Sequence, residues 1–239
     1  MKPRILVVIP AFNEADSIGH VIRTTRQHLP EAAVVVINDG SSDETGALAE
    51  SAGAIVLHMP HNVGIGASVQ TGFIFASEQG YDVVVRSDGD GQHDPLDLRR
   101  LVDTLLEGEV DMVVGSRYIE DRGYRTPLPR RAGILLLARL ITSITGHIVT
   151  DPTSGFAAFN HHAIHLFAQV YPHDYPEPEG WVVAHRAGLR FREIPVTMKP
   201  RFAGHSSITR LRSIYYMLKV TLAILIGLLR RPVLLDDAA

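Results

Sequence analysis

Short apolar runs rich in β-branched residues alternate with longer amphipathic segments through the first half of this chain. Continuous apolar runs are typical of strands buried on both faces, and helical periodicity between them indicates crossover helices. This alternation predicts an α/β fold with a doubly wound, mostly parallel sheet flanked by helices. The predicted strands, all expected in central positions, are RILVVI (Arg4 to Ile9), AVVVIN (Ala33 to Asn38), AIVLHM (Ala54 to Met59), DVVVRS (Asp82 to Ser87) and DMVVGS (Asp111 to Ser116).

Helical segments are predicted between these strands, and the rhythm changes after Thr126. Asp94 followed by Pro95 is a typical helix start, and Ser42 or Asp43 is another. The second half predicts one long apolar helix, a DPTSGF turn, a proline-rich stretch and a late strand. We expect a catalytic domain over residues 1–209 and an amphipathic helix with a tail over 210–239. The predicted helices are Ala15 to His28, Asp43 to Ala52, Gly64 to Glu78, Pro95 to Glu107 and Arg130 to His147, and the late strand is Leu189 to Met198.

Composition excludes several classes of function. The chain has 239 residues and no cysteine, which rules out disulfides, thiolate nucleophiles and cysteine-based zinc sites. Its formal net charge of -3 gives no reason to expect a nucleic acid partner. The apolar stretch near the N-terminus is too short for a signal peptide, so a cytoplasmic location is expected.

Polar residues follow the predicted strands at the points where they end. In an open α/β sheet, ligands bind beyond the carboxyl ends of the strands. PAFNEAD, NDGSSDET, SDGDGQHDP and GSRY occupy four such exits. Eight polar side chains are therefore expected at one edge of the sheet: Asn13, Glu14, Asp39, Asp43, Asp88, Asp90, Gln92 and Arg117.

Asp88 and Asp90 stand two residues apart beside Gly89 and Gly91. Their mutual repulsion is tolerable if a cation lies between them, and oxygen ligands favour Mg²⁺ or Mn²⁺. The alternative is a solvated turn that caps a helix. The polar residues at the other strand exits favour the metal site.

Seven motifs together resemble the family 2 glycosyltransferases with the nucleotide-sugar-binding GT-A fold, most of all the dolichyl- or polyprenyl-phosphate mannose and glucose synthases. They span most of the chain in the order of that family. The motifs are IPAFNE (Ile9 to Glu14), NDGSSDET (Asn38 to Thr45), HNVGIGAS (His61 to Ser68), SDGDGQHDP (Ser87 to Pro95), GSRY (Gly115 to Tyr118), DPTSGF (Asp151 to Phe156) and MKPRFAGHSS (Met198 to Ser207).

The resemblance implies roles for individual residues. Asp88 would face the sugar or ribose, and Asp90 with Gln92 would hold the metal on the diphosphate. The nucleotide pocket would contain Pro10, Ala11, Asn13, Glu14, Asp39, Gly64 and Asp88, with Asp39 on the base. Phosphate or acceptor would be bound by Arg117, Arg131, Arg201 and Ser206, and the catalytic group would comprise Asp88, Asp90, Arg117 and Glu179.

Two departures from the family pattern affect this transfer of roles. Asn38 stands where the family often has aspartate, which affects the base contacts, and no pair of transmembrane segments is apparent. Glu177 and Glu179 lie in YPEPEGW, where related transferases carry an acidic element on the acceptor side. Either could act as a base, but the adjoining prolines equally indicate a helix start.

The predicted activity is transfer of a hexose from a UDP- or GDP-sugar to an acceptor, most of all a polyprenyl phosphate, with metal-assisted inversion at the anomeric carbon. A lipid phosphate oxygen is already ionised at neutral pH and needs no strong base, whereas a sugar hydroxyl needs one. The alternatives are a nucleotidyltransferase on the same fold and a nucleotide-sugar-binding protein without activity.

The C-terminal segment combines apolar residues at helical spacing with Lys219 and flanking arginines. Val220 to Leu229 alone falls short of the roughly 20 residues needed to span hydrocarbon. The pattern predicts an interfacial helix on the cytoplasmic face of a membrane. The alternative is a helix buried against the core or in a homo-oligomer interface.

Overall fold

The computed structural model describes residues 2–120, 126–199 and 210–229, with the backbone alone for 129 and 210–216. One sheet contains the seven strands in the order β3-β2-β1-β4-β6-β5-β7. The strands are β1 (Ile5–Ala11), β2 (Ala33–Asn38), β3 (Ile55–His58), β4 (Val83–Arg86), β5 (Met112–Ser116), β6 (Ala157–Asn160) and β7 (Phe191–Pro195). The helices are α1 (Ile18–His28), α2 (Thr45–Ser51), α3 (Ile65–Glu78), α4 (Pro95–Leu106), α5 (Leu128–Thr145), α6 (His161–Gln169), α7 (Pro176–Arg186) and α8 (Arg210–Leu229).

The predicted α/β architecture and the first five strands are confirmed, with bounds that differ by at most a few residues. The central position expected for every strand is wrong for β3. This strand pairs only with β2 at one edge of the sheet, and its Ile55 is 43% exposed. An apolar run alone does not distinguish a central strand from an edge strand, because burial depends on the neighbours.

Strand β6 was not predicted, and it runs antiparallel to both of its neighbours, β4 and β5. The remaining pairs, including β5 with β7, are parallel. Because β6 reverses direction between them, β4 and β5 still point the same way. Their carboxyl ends therefore lie at the same edge of the sheet as those of β1 and β2.

Helices cover both faces of the sheet and divide the apolar interior into two layers. Helices α1, α2 and α4 bury residues such as Ile22 and Leu101 against one face. Helices α3, α5, α6, α7 and α8 bury residues such as Phe73 and Trp181 against the other. Both faces of the central strands are thus removed from water, which explains their uninterrupted apolar sequence.

The predicted start of α4 is confirmed in detail. The Asp94 carboxylate accepts a hydrogen bond from the backbone N–H of Leu96 at 3.2 Å, and Pro95 occupies the first helical position. This cap satisfies a backbone donor that the helix itself leaves unpaired. It also fixes the end of the loop over residues 87–94 between β4 and α4, which is called the acidic loop below.

Helix α8 packs on α5 and α7 and has two apolar faces. Val220 and Ile224 are buried in the same layer as α5, α6 and α7. Leu218, Leu222, Leu225 and Leu229 recur on an exposed side. In the described ranges no helix is both long and apolar enough to cross a bilayer. The helix therefore belongs to the core through one side and presents an apolar stripe on the other.

Candidate active site

The loops after β1 and β2 are joined by hydrogen bonds. Asn13 adopts a left-handed conformation with φ of 56°, and its side-chain oxygen accepts the backbone N–H of Ser42 at 2.9 Å. Its own N–H donates to the hydroxyl of Ser41 at 3.0 Å. Asparagine tolerates the left-handed region better than most residues. The predicted pocket residues Asn13 and Glu14 are thus held beside the second strand exit, where Glu14 N–H donates to Thr45 at 2.8 Å.

Asp39, predicted to contact the base, holds the loop that leads into α3. Its two carboxylate oxygens accept the backbone N–H groups of Val63 at 2.8 Å and Gly64 at 3.1 Å. Gly64 has φ of 88°, a conformation that favours glycine. The structure therefore brings Asp39 and Gly64 together, and their contact with a nucleotide stays a prediction.

The acidic loop after β4 lies against the end of β1. A Cβ atom on Gly89 would stand 3.5 Å from the carbonyl oxygen of Pro10 and 3.6 Å from Cγ of Glu14. Asp90 is buried, and its carboxylate accepts the backbone N–H of Gln92 at 3.0 Å. Asp88 is half-exposed. The predicted donor residues Pro10, Glu14, Asp88 and Asp90 consequently occupy one place in the fold.

The acidic loop offers a small number of oxygen donors for a metal ion. Within residues 2–120, 126–199 and 210–229, no three or more His, Asp or Glu side chains form a group that could hold an ion. The loop supplies the carboxylates of Asp88 and Asp90 and the amide of Gln92. These oxygens fit an ion such as Mg²⁺, which ordinarily takes its other ligands from water and substrate phosphates.

His93 is buried at the centre of the charged residues. Its ring stacks on Phe156 with 4.2 Å between centroids, and its Nδ1 accepts the backbone N–H of Asp88 at 3.3 Å. Burial lowers the pKa of His93; Asp88 and Asp90 oppose this shift, and Arg117 and Arg86 reinforce it. Carboxylates from the β4 loop and guanidinium groups from two strand ends therefore lie within electrostatic range of one imidazole.

The segment after β7 runs beside the acidic loop. Lys199 N–H donates to the carbonyl of Gln92 at 2.7 Å, and the Gln92 amide donates to the carbonyl of Lys199 at 3.3 Å. Thr197 N–H donates to the buried carboxylate of Asp97 at 2.7 Å. These bonds place the chain that leads toward the MKPRFAGHSS motif next to Asp90 and Gln92. The predicted acceptor residues Arg201 and Ser206 lie outside the described residues.

Arg117 is held by a buried ion pair at the end of β5. Its Nε and Nη2 atoms each donate to the carboxylate of Asp151 at 2.6 Å, and Nη2 also donates to Thr153 at 2.7 Å. Behind Asp151, the carboxylate of Glu193 accepts the N–H groups of Thr150 and Asp151. Burial raises the pKa of Glu193, and those hydrogen bonds only partly offset the shift. Arg117 therefore has a fixed orientation.

Tyr118 lies between two guanidinium groups. The Arg131 Cζ atom stands 3.6 Å from the centroid of the Tyr118 ring, and Arg117 Cζ stands 5.4 Å from it. The Arg131 Nη1 atom is buried without a hydrogen-bond partner among the described residues. Arg131 and Tyr118 also line a cavity of about 400 Å³ with Thr142 and Thr150. The two predicted phosphate-binding arginines thus approach the same tyrosine ring, and Arg131 borders the open volume.

The two glutamates of YPEPEGW occupy different surroundings at the start of α7. Glu177 accepts a hydrogen bond from Arg86 Nη2 at 2.5 Å, in an ion pair that is largely buried. Glu179 lines a separate cavity of about 610 Å³ between α6, α7 and α8, together with His173 and Arg186. Of these two candidates for a base, Glu177 lies beside the acidic loop through Arg86, and the structure does not bring Glu179 to that loop.

Sequence reasoning missed several residues that shape this site. Arg86, the last residue of β4, and Tyr171 were not considered, and His93 and Asp151 were noted only as letters of motifs. A charged residue that ends an otherwise apolar buried strand was a signal for Arg86. The partners of Arg117 and Arg86 carry no local signal, because they lie 34 and 91 positions away in the chain.

Comparison with known proteins identifies the family. The sequence profile of Glycosyl transferase family 2 matches residues 6–167, which contain the β1, β2, β4 and β5 exits. The chain belongs to glycosyltransferase family 2. It is therefore a glycosyltransferase, as predicted.

Several relatives of this glycosyltransferase resemble it along most of its length. An uncharacterized protein of Methanocaldococcus jannaschii is 32% identical over 82% of this chain and 81% of its own. An undecaprenyl-phosphate mannosyltransferase of Micrococcus luteus is 30% identical over 86% of this chain and 88% of its own. A polyprenol monophosphomannose synthase of Mycolicibacterium smegmatis is 32% identical over 65% of this chain and 61% of its own.

Solved structures confirm the GT-A fold. Glucosyl-3-phosphoglycerate synthase from Mycobacterium tuberculosis, in complex with Mn²⁺, UDP-glucose and phosphoglyceric acid, has a TM-score of 0.68 at 22% identity. The match covers 94% of this chain and 79% of that one. At this identity the likeness establishes the fold of the transferase, and the chemistry must be argued from its own residues.

Proposed function

We propose that this glycosyltransferase moves a hexose from a UDP- or GDP-sugar to a polyprenyl phosphate, with inversion at the anomeric carbon. The observation that carries the proposal is the place of His93 between the two groups: its Nε2 lies 3.6 Å from Asp88 Oδ2, and its ring stacks on Phe156, whose carbonyl accepts the N–H of Gly115 two residues before Arg117. Acidic groups suited to a cation-bound diphosphate and basic groups suited to a second phosphate thus meet at one edge of the sheet. The names of the Micrococcus and Mycolicibacterium relatives support a lipid phosphate as the acceptor.

The donor side is assigned to the exits of β1, β2 and β4. The nucleotide would lie along a wall that contains Pro10, Ala11, Asn13, Glu14, Asp39 and Gly64. Asp88, half-exposed at the front of the acidic loop, would contact the ribose or sugar. The fixed loops at Asn13 and Asp39 support this assignment, because a preformed pocket loses little conformational entropy when it binds its ligand.

Asp90 and Gln92 are proposed to hold Mg²⁺ or Mn²⁺ against the diphosphate. When bound, the ion would neutralise the charge that grows on the departing nucleoside diphosphate. The bond between the anomeric carbon and the diphosphate oxygen breaks, and its electron pair leaves with the nucleoside diphosphate. The protein's own part would be to present the buried carboxylate of Asp90 beside the diphosphate.

Arg117 and Arg131 are proposed to bind the acceptor phosphate, with Arg201 and Ser206 as further contacts. A phosphate oxygen forms the new bond to the anomeric carbon from the side opposite the leaving group. That oxygen is ionised at neutral pH, so the chemistry needs no strong base. The position of Arg131 supports the assignment, because it lines the cavity of about 400 Å³ and a guanidinium can form paired hydrogen bonds to a phosphate. A catalytic role for Glu179 stays a prediction, which Glu179→Gln would test by a change in kcat.

Helix α8 is proposed to place the enzyme on a membrane. Four leucines of its exposed stripe, from Leu218 to Leu229, would enter the acyl boundary, while the flanking cations meet anionic headgroups. Leu128, Leu135 and Leu136 of the neighbouring α5 are also exposed and would extend this surface. The catalytic domain over 1–209 and the segment over 210–239 would then act together, since α8 packs on α5 and α7.

Sedimentation with anionic liposomes tests the membrane surface. Removing residues beyond Thr209 would uncover the core at Val220 and Ile224, so substitutions on the exposed stripe are sharper. We expect Leu222→Glu with Leu225→Glu to move the protein from the pellet to the supernatant. Leu96→Glu, at an equally exposed leucine on α4 across the sheet, is the matched control. If the wild-type protein stays in the supernatant at low salt, the membrane proposal is wrong.

Product analysis tests the reaction itself. The protein is incubated with UDP- or GDP-hexoses, Mn²⁺ and undecaprenyl phosphate in detergent, and products are identified by mass spectrometry. Lipid-linked hexose with free UDP or GDP supports the proposal. Release of pyrophosphate would instead indicate a nucleotidyltransferase, and binding without turnover would indicate a nucleotide-sugar-binding protein.

A further inference from the structure

Arg86 is a buried cation directly behind the acidic loop. Its guanidinium contacts three groups: Glu177 Oε1 at 2.5 Å, the Tyr171 hydroxyl at 3.2 Å and Asp88 Oδ1 at 3.9 Å. A Cβ atom on Gly155 would lie 2.8 Å from its Nη2 atom. The side chain is therefore enclosed from several directions and has little freedom to move.

The charge of Arg86 is retained in spite of its burial. Burial alone would lower the pKa of the guanidinium, but the nearby Glu177, Tyr171 and Asp88 raise it above its usual value. Burial also raises the pKa of Tyr171 to about 12, so its hydroxyl keeps its proton. The cluster accordingly has one cation and two carboxylates, of which Glu177 lies much closer.

A buried ion pair is weak evidence for stability, because well-packed apolar residues often serve as well. Valine precedes Arg86 at each of the three earlier positions of β4, so an apolar residue would suit the strand at this point. The Nε atom of Arg86 is also buried without a hydrogen-bond partner among the described residues. Burial of this charged side chain thus lowers the stability of the fold, which suggests that Arg86 serves the site instead.

We propose that Arg86 is a positioning residue for Asp88. The guanidinium, anchored by Glu177 and Tyr171, attracts one carboxylate oxygen of Asp88 across 3.9 Å. On the other side, His93 Nε2 lies 3.6 Å from Oδ2, and Nδ1 accepts the backbone N–H of Asp88. Asp88 is thereby fixed toward the donor while it remains half-exposed, and the start of α7 is linked to the donor loop through Arg86.

This inference rests on the proposed function in one respect, namely that Asp88 contacts the donor. Its test is binding of UDP- and GDP-hexoses with Mn²⁺, measured by calorimetry, so it requires no turnover and no acceptor. Arg86→Lys keeps the charge but cannot reproduce the planar fork that reaches Glu177 and Asp88 together. Loss of a residue that orients a metal ligand typically costs about 10–100-fold in affinity, and we expect an effect of the same order for the residue that orients Asp88.

The experiment compares Arg86→Lys, Asp88→Asn and the double variant. We expect each single variant to weaken nucleotide binding at least about tenfold. The double variant should bind no more weakly than Asp88→Asn, because Arg86 acts through Asp88. Arg190→Lys is the matched control: it belongs to an ion pair with Asp111 at the other end of the sheet and should bind like wild type.

Several outcomes would overturn the inference. One is a nucleotide affinity of Arg86→Lys equal to that of the wild type. Another is a double variant whose loss of affinity is the product of the two single losses. If Arg86→Lys fails to fold, Tyr171→Phe removes one anchor at less risk, and it should weaken binding only when Asp88 is present. If wild-type protein binds neither nucleotide, the proposed function fails. The coupling is then read from melting temperatures of the same variants, where additive losses would refute contact between Arg86 and Asp88.

Discussion

The ion pair between Arg117 and Asp151 leads to a quantitative prediction. Asp151 is fully buried and the Arg117 side chain nearly so, and two bonds of 2.6 Å join them. In Asp151→Asn the side chain keeps its size but loses its charge, and its amide N–H groups oppose those of the guanidinium. The variant therefore leaves a buried cation without its counter-charge.

The magnitude follows from the burial of both partners. Removal of one partner of a buried pair costs about 3–5 kcal/mol. For a chain of this size each kcal/mol lowers the melting temperature by about 2–4 °C, so the expected decrease is about 6–20 °C. Loss of an exposed pair costs at most about 1 kcal/mol. Glu107→Gln, which breaks the exposed pair between Glu107 and Arg192, should therefore lower the melting temperature by no more than about 4 °C.

Differential scanning calorimetry of the two variants and the wild type measures this difference. Asp151→Asn should also raise the acceptor KM far more than the donor KM, because Arg117 loses its fixed orientation. If Asp151→Asn melts within the range of Glu107→Gln, the buried pair does not carry the energy assigned to it. If the acceptor KM is unchanged as well, Arg117 is not an acceptor residue.

Three further predictions concern the metal, the packing and the pH dependence. Asp90→Asn should abolish the Mn²⁺-dependent part of nucleotide binding, measured by calorimetry, without lowering the melting temperature; unchanged Mn²⁺ dependence would remove Asp90 from the metal site. Gly66→Ala should lose about 1–3 kcal/mol in urea unfolding, because its Cβ would stand 2.3 Å from a backbone oxygen. Gly227→Ala, with open space around its Cβ, should lose nothing, and equal losses would contradict this packing argument. Burial would raise the pKa of Asp111, but hydrogen bonds from Arg190 and a neighbouring amide lower it below its usual value. Its contribution to stability is thus complete above about pH 4 and disappears as pH falls through the folded-state pKa, so the deficit of Asp111→Asn should shrink in acid unfolding curves.

The parallel part of the sheet was predictable because strands buried on both faces have a continuous apolar sequence. β6 was missed because AAFN is four residues long, and its identity as a strand depends on the strands at its two sides. α7 was left open because Pro176 and Pro178 serve a helix start and an irregular stretch equally well. Local sequence patterns therefore indicated the elements with a clear apolar periodicity, whereas the others depend on tertiary contacts.

The candidate site was predictable wherever a polar residue follows a strand. Asp88, Asp90 and Arg117 were selected in this way, and the family resemblance supplied their proposed roles. Their supports were not predictable, since Asp151 reaches Arg117, and Glu177 reaches Arg86 behind Asp88, across long stretches of chain. Sequence patterns indicate which side chains face a ligand, whereas the groups that hold those side chains are determined by packing.

The reversed strand β6 has a consequence for how this enzyme can diversify. The chain leaves β5 after Ser116 and returns at Ala157, which pairs directly with Val114. The two ends of this excursion are joined by a bond of 2.8 Å from the Gly115 N–H to the carbonyl of Phe156. The free energy needed to close such a loop rises only slowly with its length. The parts of this excursion outside α5 can therefore change in length at little cost to the fold, whereas α5 is held in the core by Leu137 and Ile141. If Arg117 and Arg131 bind the acceptor as proposed, such changes would alter acceptor preference and leave the loops after β1 and β2 as they are.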